Sequence, residues 1–129
     1  MEQPQYLIDT NAVIDYLGEK LPASGMAFMN NIINAVPQLS VVSKIEVLGF
    51  NAPAEYYQLL TNFMNDATIV PLTEDIVNES INVRKKHKTK LPDAVIAATA
   101  IVTKSILISR NISDFRNIKG LKVIDAHLI

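Results

Sequence analysis

Five short apolar runs alternate with helix-like stretches along almost the whole chain, and this alternation most constrains the fold. The runs are Gln5–Ile8, Leu39–Val42, Thr68–Leu72, Ser105–Ile108 and Val123–Ile124. They are continuously apolar rather than alternating apolar and polar. Strands of that kind are buried on both faces, which favours a parallel sheet with helices on each side. The segment from Asp93 to about Lys104 strengthens the point. Ala94, Val95, Ile96, Ala97, Ala98, Ala100, Ile101 and Val102 leave it almost no polar face, so it predicts a helix buried on most sides.

The other helices are punctuated by single residues. Ala12–Leu17 reads as helical. Ser24 is expected to cap a helix with Met26, Met29, Ile32, Ile33 and Val36 on its apolar face, ended by Pro37. Pro53 suits a first helical position, and Tyr56, Leu59, Leu60, Phe63 and Met64 behind it follow helical spacing. Thr73 is expected to cap a helix running to about His87, with Ile76, Val77 and Ile81 inward. No repeat, linker or low-complexity tract divides the 129 residues, so one domain over 1–129 is expected.

Composition narrows the chemistry. Twelve basic side chains nearly balance thirteen acidic ones, so no global charge advertises a nucleic-acid partner. There is no cysteine, which excludes disulfides, thiolate nucleophiles and Cys-based metal sites. The N-terminus lacks a secretion signal, and no window reaches the ~18 apolar residues of a membrane span. The expectation is a soluble, cytoplasmic protein with no membrane partner.

Four acids fall where a parallel sheet gathers its ligands. Asp9 follows the first strand. Glu46 lies in the first turn of the helix after Leu39–Val42. Asp93 opens the apolar helix, and Asp114 follows Ser105–Ile108 by a few residues. Residues after the strands of an open parallel sheet meet at its carboxyl edge, where such folds place their sites. Converged carboxylates repel: two charges ~4 Å apart cost roughly 4 kcal/mol at an effective dielectric of ~20. Four together call for a cation. Oxygen-only ligands select Mg²⁺ or Mn²⁺ over Zn²⁺, and phosphodiester hydrolysis is the natural use of such an ion.

Each acid also has a plain structural role available. Ser43-Lys44-Ile45-Glu46 is a capping-box pattern, so Glu46 could bond back to Ser43. Asp93 behind Pro92 suits a positive helix N-terminus. Asp114 fits a turn. Asp9, directly after a buried strand and before Thr10-Asn11, stands out by itself. Asp15 and Glu19 read as outer-face or loop charges, and Tyr56 and Tyr57 as packing. Arg84, Lys85, Lys86, Lys88 and Lys90, with His87 read as solvated, form the one basic cluster. It either complements the macrodipole of a helix that opens with Glu74 and Asp75, or tracks RNA phosphates toward Asp93.

Four segments in order carry a resemblance: Leu7-Ile8-Asp9-Thr10-Asn11, Ser43-Lys44-Ile45-Glu46, Lys90 through Ala100 with Pro92-Asp93, and Ser109-Arg110-Asn111-Ile112-Ser113-Asp114-Phe115. Together they resemble the PIN-domain nucleases, most closely the VapC-type toxins of bacterial type II toxin–antitoxin pairs. The resemblance implies a three-layer α/β/α fold with a small, mainly parallel sheet. It maps an acidic quartet onto Asp9, Glu46, Asp93 and Asp114, serving both metal binding and catalysis. It gives Thr10, Asn11, Ser109, Arg110 and Asn111 supporting positions. It also implies RNA cleavage with Mg²⁺ or Mn²⁺, a homodimer, and a cognate antitoxin that can block the acidic pocket. Ser109 stands where Thr is common, and the C-terminus lacks the Asn-Pro finish of many relatives. A non-toxin PIN nuclease in RNA processing, and a non-catalytic PIN-like scaffold, are the alternatives. A phosphatase would want a second Asp two residues after the first, where this chain has Asn11.

Overall fold

A computed structural model describes residues 4–129. Its centre is a five-stranded sheet in the order β3-β2-β1-β4-β5. The strands are β1 (Tyr6–Ile8), β2 (Gln38–Ser40), β3 (Thr68–Val70), β4 (Ile106–Ile108) and β5 (Val123–Ile124), and every pairing is parallel. The expected three-layer α/β/α arrangement is borne out, with a sheet parallel throughout.

Side chains leave alternate faces of a strand, so each strand feeds two cores. Ile8, Leu39 and Ile108 join the first core with Met29, Leu60 and Met64. These come from α2 (Ala23–Asn34) and α4 (Ala54–Asp66). Leu7 and Leu107 face the other way, onto Val83, Ile96, Ala97 and Phe115. That layer is built by α5 (Glu74–Lys86), α6 (Leu91–Val102) and the short α7 (Ile112–Phe115). In α6, all seven residues from Ala94 to Ala100 are buried, as its all-round apolar sequence predicts. Small side chains at four of those positions let α6 lie close to its neighbours.

Local chemistry moves several boundaries. β2 stops at Ser40 because the Ser40 hydroxyl accepts the Val42 N–H at 3.1 Å and caps α3 (Val41–Leu48). Ser43 therefore lies inside the helix and caps nothing, which removes the capping-box role for Glu46. Ser24 is likewise no cap. Pro22 takes that position, and the Ser24 hydroxyl donates to the Ile129 carbonyl. Pro53 is the N-cap of α4 rather than its first helical residue. Thr73 does cap α5, accepting from Ile76 N–H at 3.3 Å. Three residues expected on apolar helix faces are exposed: Val36 at 57%, beyond the end of α2, Leu59 at 43% and Ile81 at 48%. Helical spacing places them near the apolar stripe, but each flanking helix packs along only a narrow seam.

The first strand feeds α1 (Thr10–Leu17) and then β2 on one side, whereas β4 lies on its other side. Strand order thus reverses at β1, and the crevice beyond β1 and β4 is the topological switch point where ligands bind in such sheets. Among the described residues, no helix is long and apolar enough to cross a membrane.

Candidate active site

Asp9 sits at that switch point, only 3% exposed. It is the N-cap of α1, and its Oδ1 accepts the Thr10 backbone N–H at 2.8 Å. Its Oδ2 accepts from the Ser109 hydroxyl at 2.8 Å and from the Asn11 amide at 3.0 Å. Three donors therefore fix the carboxylate in one orientation. Burial pushes its carboxyl above the ordinary aspartate value of 3.8. The Ser109 and Thr10 bonds pull it back, and the charges of Asp93 and Glu46 push it up further.

The supporting residues are themselves tied together. Ser109, immediately after β4, is fully buried and accepts the Asn111 N–H at 3.0 Å. Asn11 Oδ1 accepts the Arg110 N–H at 3.2 Å. The ends of β1 and β4 are thus stitched through side chains of Asn11 and Ser109, beyond where the strand ladder stops. All five expected supporting residues lie here.

Thr10 connects the second acid. Its hydroxyl donates to Glu46 Oε1 at 2.7 Å and lies 3.1 Å from the Ser43 hydroxyl. Glu46 is otherwise exposed at the crevice mouth. Asp93, in the first turn of α6, lines a recess of about 340 Å³ together with Asp114 from α7. Burial raises the Asp93 carboxyl above 3.8, repulsion from Asp114 and Glu46 adds to that, and Lys90 opposes it. The four acids therefore form a chain of mutual repulsion: Asp9 feels Asp93 and Glu46, and Asp93 feels Asp114 and Glu46.

Among the described residues, no three such side chains stand close enough to form a closed metal cage. The donor chemistry of the four carboxylates fits Mg²⁺ or Mn²⁺, ions that keep several waters and take as few as one or two carboxylates. Burial is the larger cause of the raised Asp9 and Asp93 carboxyls, and a bound cation would relieve the smaller part that comes from their acidic neighbours.

The basic cluster divides. Arg84, Lys85 and Lys86 are exposed on the last turn of α5, where they complement its macrodipole. Lys88 and Lys90 lie beyond it and line the recess beside Asp93.

Asp15 corrects the sequence reading. It is no outer-face charge: its side chain is 2% exposed and lies 3.0 Å from Arg110 Nη1 and 2.9 Å from His127 Nε2. A signal was present, since Asp15 stands three residues after buried Ala12, on the inward stripe of α1. His127, in the short turn Ala126–Leu128, had no such signal.

The PIN domain profile matches residues 6–121. The chain belongs to the PIN domain family, a family of nucleases that generally use divalent metals. A search of curated proteins gives no match. Solved structures do match. A toxin–antitoxin complex from Klebsiella pneumoniae is 29% identical with a TM-score of 0.74, over 95% of this chain and 98% of that one. DNA-bound VapBC from Salmonella typhimurium is 16% identical with a TM-score of 0.83, over 96% and 99%. FitAcB from Neisseria gonorrhoeae is 20% identical with a TM-score of 0.75, over 97% and 100%. The expected resemblance to VapC-type proteins is borne out.

Proposed function

We propose that this protein is a single PIN domain acting as a Mg²⁺- or Mn²⁺-dependent endoribonuclease, the toxin of a type II toxin–antitoxin pair. The observation that carries the reading is Asp9. A buried carboxylate held by three donors at the switch point, with Glu46, Asp93 and Asp114 bearing on the same crevice, is costly unless it serves a cation.

Asp9, Glu46, Asp93 and Asp114 would hold the ion. When bound, it would supply Lewis-acid polarisation of the phosphate and a more acidic water. The side chains perform the rest. Thr10, next to Asp9 in the chain, holds the Glu46 carboxylate by a hydrogen bond. Ser109 and Asn11 keep the Asp9 oxygens from rotating. Hydrolysis joins a water oxygen to phosphorus, breaks one P–O ester bond, and delivers a proton to the departing oxygen. The attacking water is the source of that proton, and Asp93 would serve the ion in its ionised form.

An antitoxin partner is supported by the Klebsiella pneumoniae neighbour, which was solved as a toxin–antitoxin complex. Exposed Ile45, Phe50, Tyr57 and Leu59, on α3, α4 and the loop between them, give that partner or a second copy apolar surface to cover. The setting is cytoplasmic, where both RNA and antitoxin are found.

Two experiments test this. Purified protein with Mn²⁺ should cleave single-stranded RNA and stop when a chelator is added; cleavage that survives the chelator would sink the metal mechanism. Expression in a bacterial host should arrest growth, and co-expression of a small protein encoded beside it should restore it. Cleavage without growth arrest would leave a PIN nuclease of RNA processing. RNA binding indifferent to metal, without turnover, would leave a scaffold.

A further inference from the structure

The recess beside Asp93 and Asp114 has two unlike walls. The acids form one. The connector between α5 and α6 forms the other, presenting His87, Lys88 and Lys90. Among the described residues, neither lysine has a carboxylate within ion-pair distance. Ser113 and Asn117 complete the lining from α7 and the turn after it. The fourth connector residue adds an independent observation. Thr89 Oγ1 is buried and, among the described residues, has no hydrogen-bond partner. Native structures seldom leave a buried hydroxyl unmatched unless a ligand or water completes it.

From this we infer that the recess is a subsite for one ribonucleotide of the RNA strand, next to the bond that is cut. The phosphate lies on Lys88 and Lys90, and the ribose on Asn117 and Ser113. The inference rests on the nuclease reading for its purpose. Three features set the ligand class. A polyanion entering an acidic crevice needs cations within reach, and these two lysines supply them beside Asp93. A volume of about 340 Å³ is of the size of one nucleotide. The Asn117 amide both donates and accepts, matching the 2′-hydroxyl that separates RNA from DNA. Lys88 and Lys90 are thereby separated from Arg84, Lys85 and Lys86, which do not line the recess.

Nuclear magnetic resonance titration tests this without turnover. The probes are the four ribonucleoside 5′-monophosphates, their 2′-deoxy counterparts and inorganic phosphate, added to metal-free full-length protein. Amide shifts should gather at residues 87–90 and 113–118 for ribonucleotides. Phosphate or deoxynucleotides should bind roughly fivefold more weakly or worse. Lys88→Gln and Asn117→Ala should each weaken ribonucleotide binding roughly fivefold, and Lys20→Gln, on the loop after α1, should not. Cleavage assays should show the same variants raising KM with kcat little changed. Shifts that map elsewhere, equal binding of inorganic phosphate or deoxynucleotides, or Lys88→Gln behaving like Lys20→Gln would overturn the subsite. Cleavage with unaltered recess variants would overturn the subsite and leave the nuclease standing. Nucleotide binding here without any cleavage would overturn the nuclease alone.

Discussion

Arg110 Nη1 lies 3.0 and 3.1 Å from the two carboxylate oxygens of Asp15, a residue buried in α1. The main chain of the same Arg110 bonds Asn11, which holds Asp9. One residue therefore links a structural ion pair to the candidate site. The pair is asymmetric, because the guanidinium is 53% exposed and the carboxylate 2%. Removing the arginine leaves the buried carboxylate with His127 as its one remaining side-chain partner among the described residues, whereas removing the acid leaves an arginine that water can solvate. Arg110→Ala should cost about 2–3 kcal/mol, more than Asp15→Asn, and should lower cleavage more. Urea unfolding of both variants compares them; equal costs would show that solvent already screens Asp15.

Asp93→Asn should separate stability from activity. The carboxyl is half-buried and repelled by Asp114 and Glu46, and its raised pKa means that the fold tolerates its charge poorly. Without metal, the amide should stabilise the protein by about 0.5–1 kcal/mol, discounted for solvent screening, or roughly 2–5 °C in Tm. Thermal melts read this directly, and a lower Tm would contradict it.

The same shifts fix the pH dependence. The Asp9 and Asp93 carboxyls lie above 3.8 in the fold, so between 3.8 and their folded values the native state binds more protons than the unfolded one. Stability must then fall as pH rises through that window, with the penalty absent below 3.8 and complete above the folded values. Metal-free wild type should lose stability relative to Asp93→Asn as pH climbs from about 4 to 7. Saturating Mn²⁺ should close that gap by binding the native state alone. A gap that widens toward low pH would reverse the sign and refute the repulsion.

Gly25 should not tolerate a methyl group. A Cβ there would lie 2.1 Å from the Ala126 carbonyl oxygen, so the C-terminal turn would have to move off α2. His127, which bonds Asp15, lies next in the chain. Gly25→Ala should cost about 1–3 kcal/mol in thermal or urea unfolding. A neutral result would mean that the C-terminal turn is held loosely.

The sheet was legible because buried parallel strands and an all-apolar helix leave one architecture that covers both. Asp9 was legible for a related reason, as a charge directly after a buried strand needs an explanation. Glu46 was named with the quartet but was ambiguous read alone, because Ser43 offered it a cap; only the fold shows Ser40 capping α3 and Thr10 reaching across to Glu46. The bond pairs residues 36 apart in sequence, and no local pattern encodes it. Asp15 carried only the helical spacing from Ala12 as a signal, and its partners carried none. Its partners lie 95 and 112 residues away, so no local pattern names them. The basic cluster read as one run, and the fold divides it where α5 ends at Lys86.

The most direct test measures cleavage of 5′-labelled single-stranded RNA in Mn²⁺ by wild type, Asp9→Asn and Asp93→Asn, each shown folded by its melting curve. If four carboxylates at the switch point carry the reaction, both variants lose at least roughly 10²-fold in kcat while staying folded. Folded variants that cleave at the wild-type rate would place the chemistry elsewhere and contradict the account.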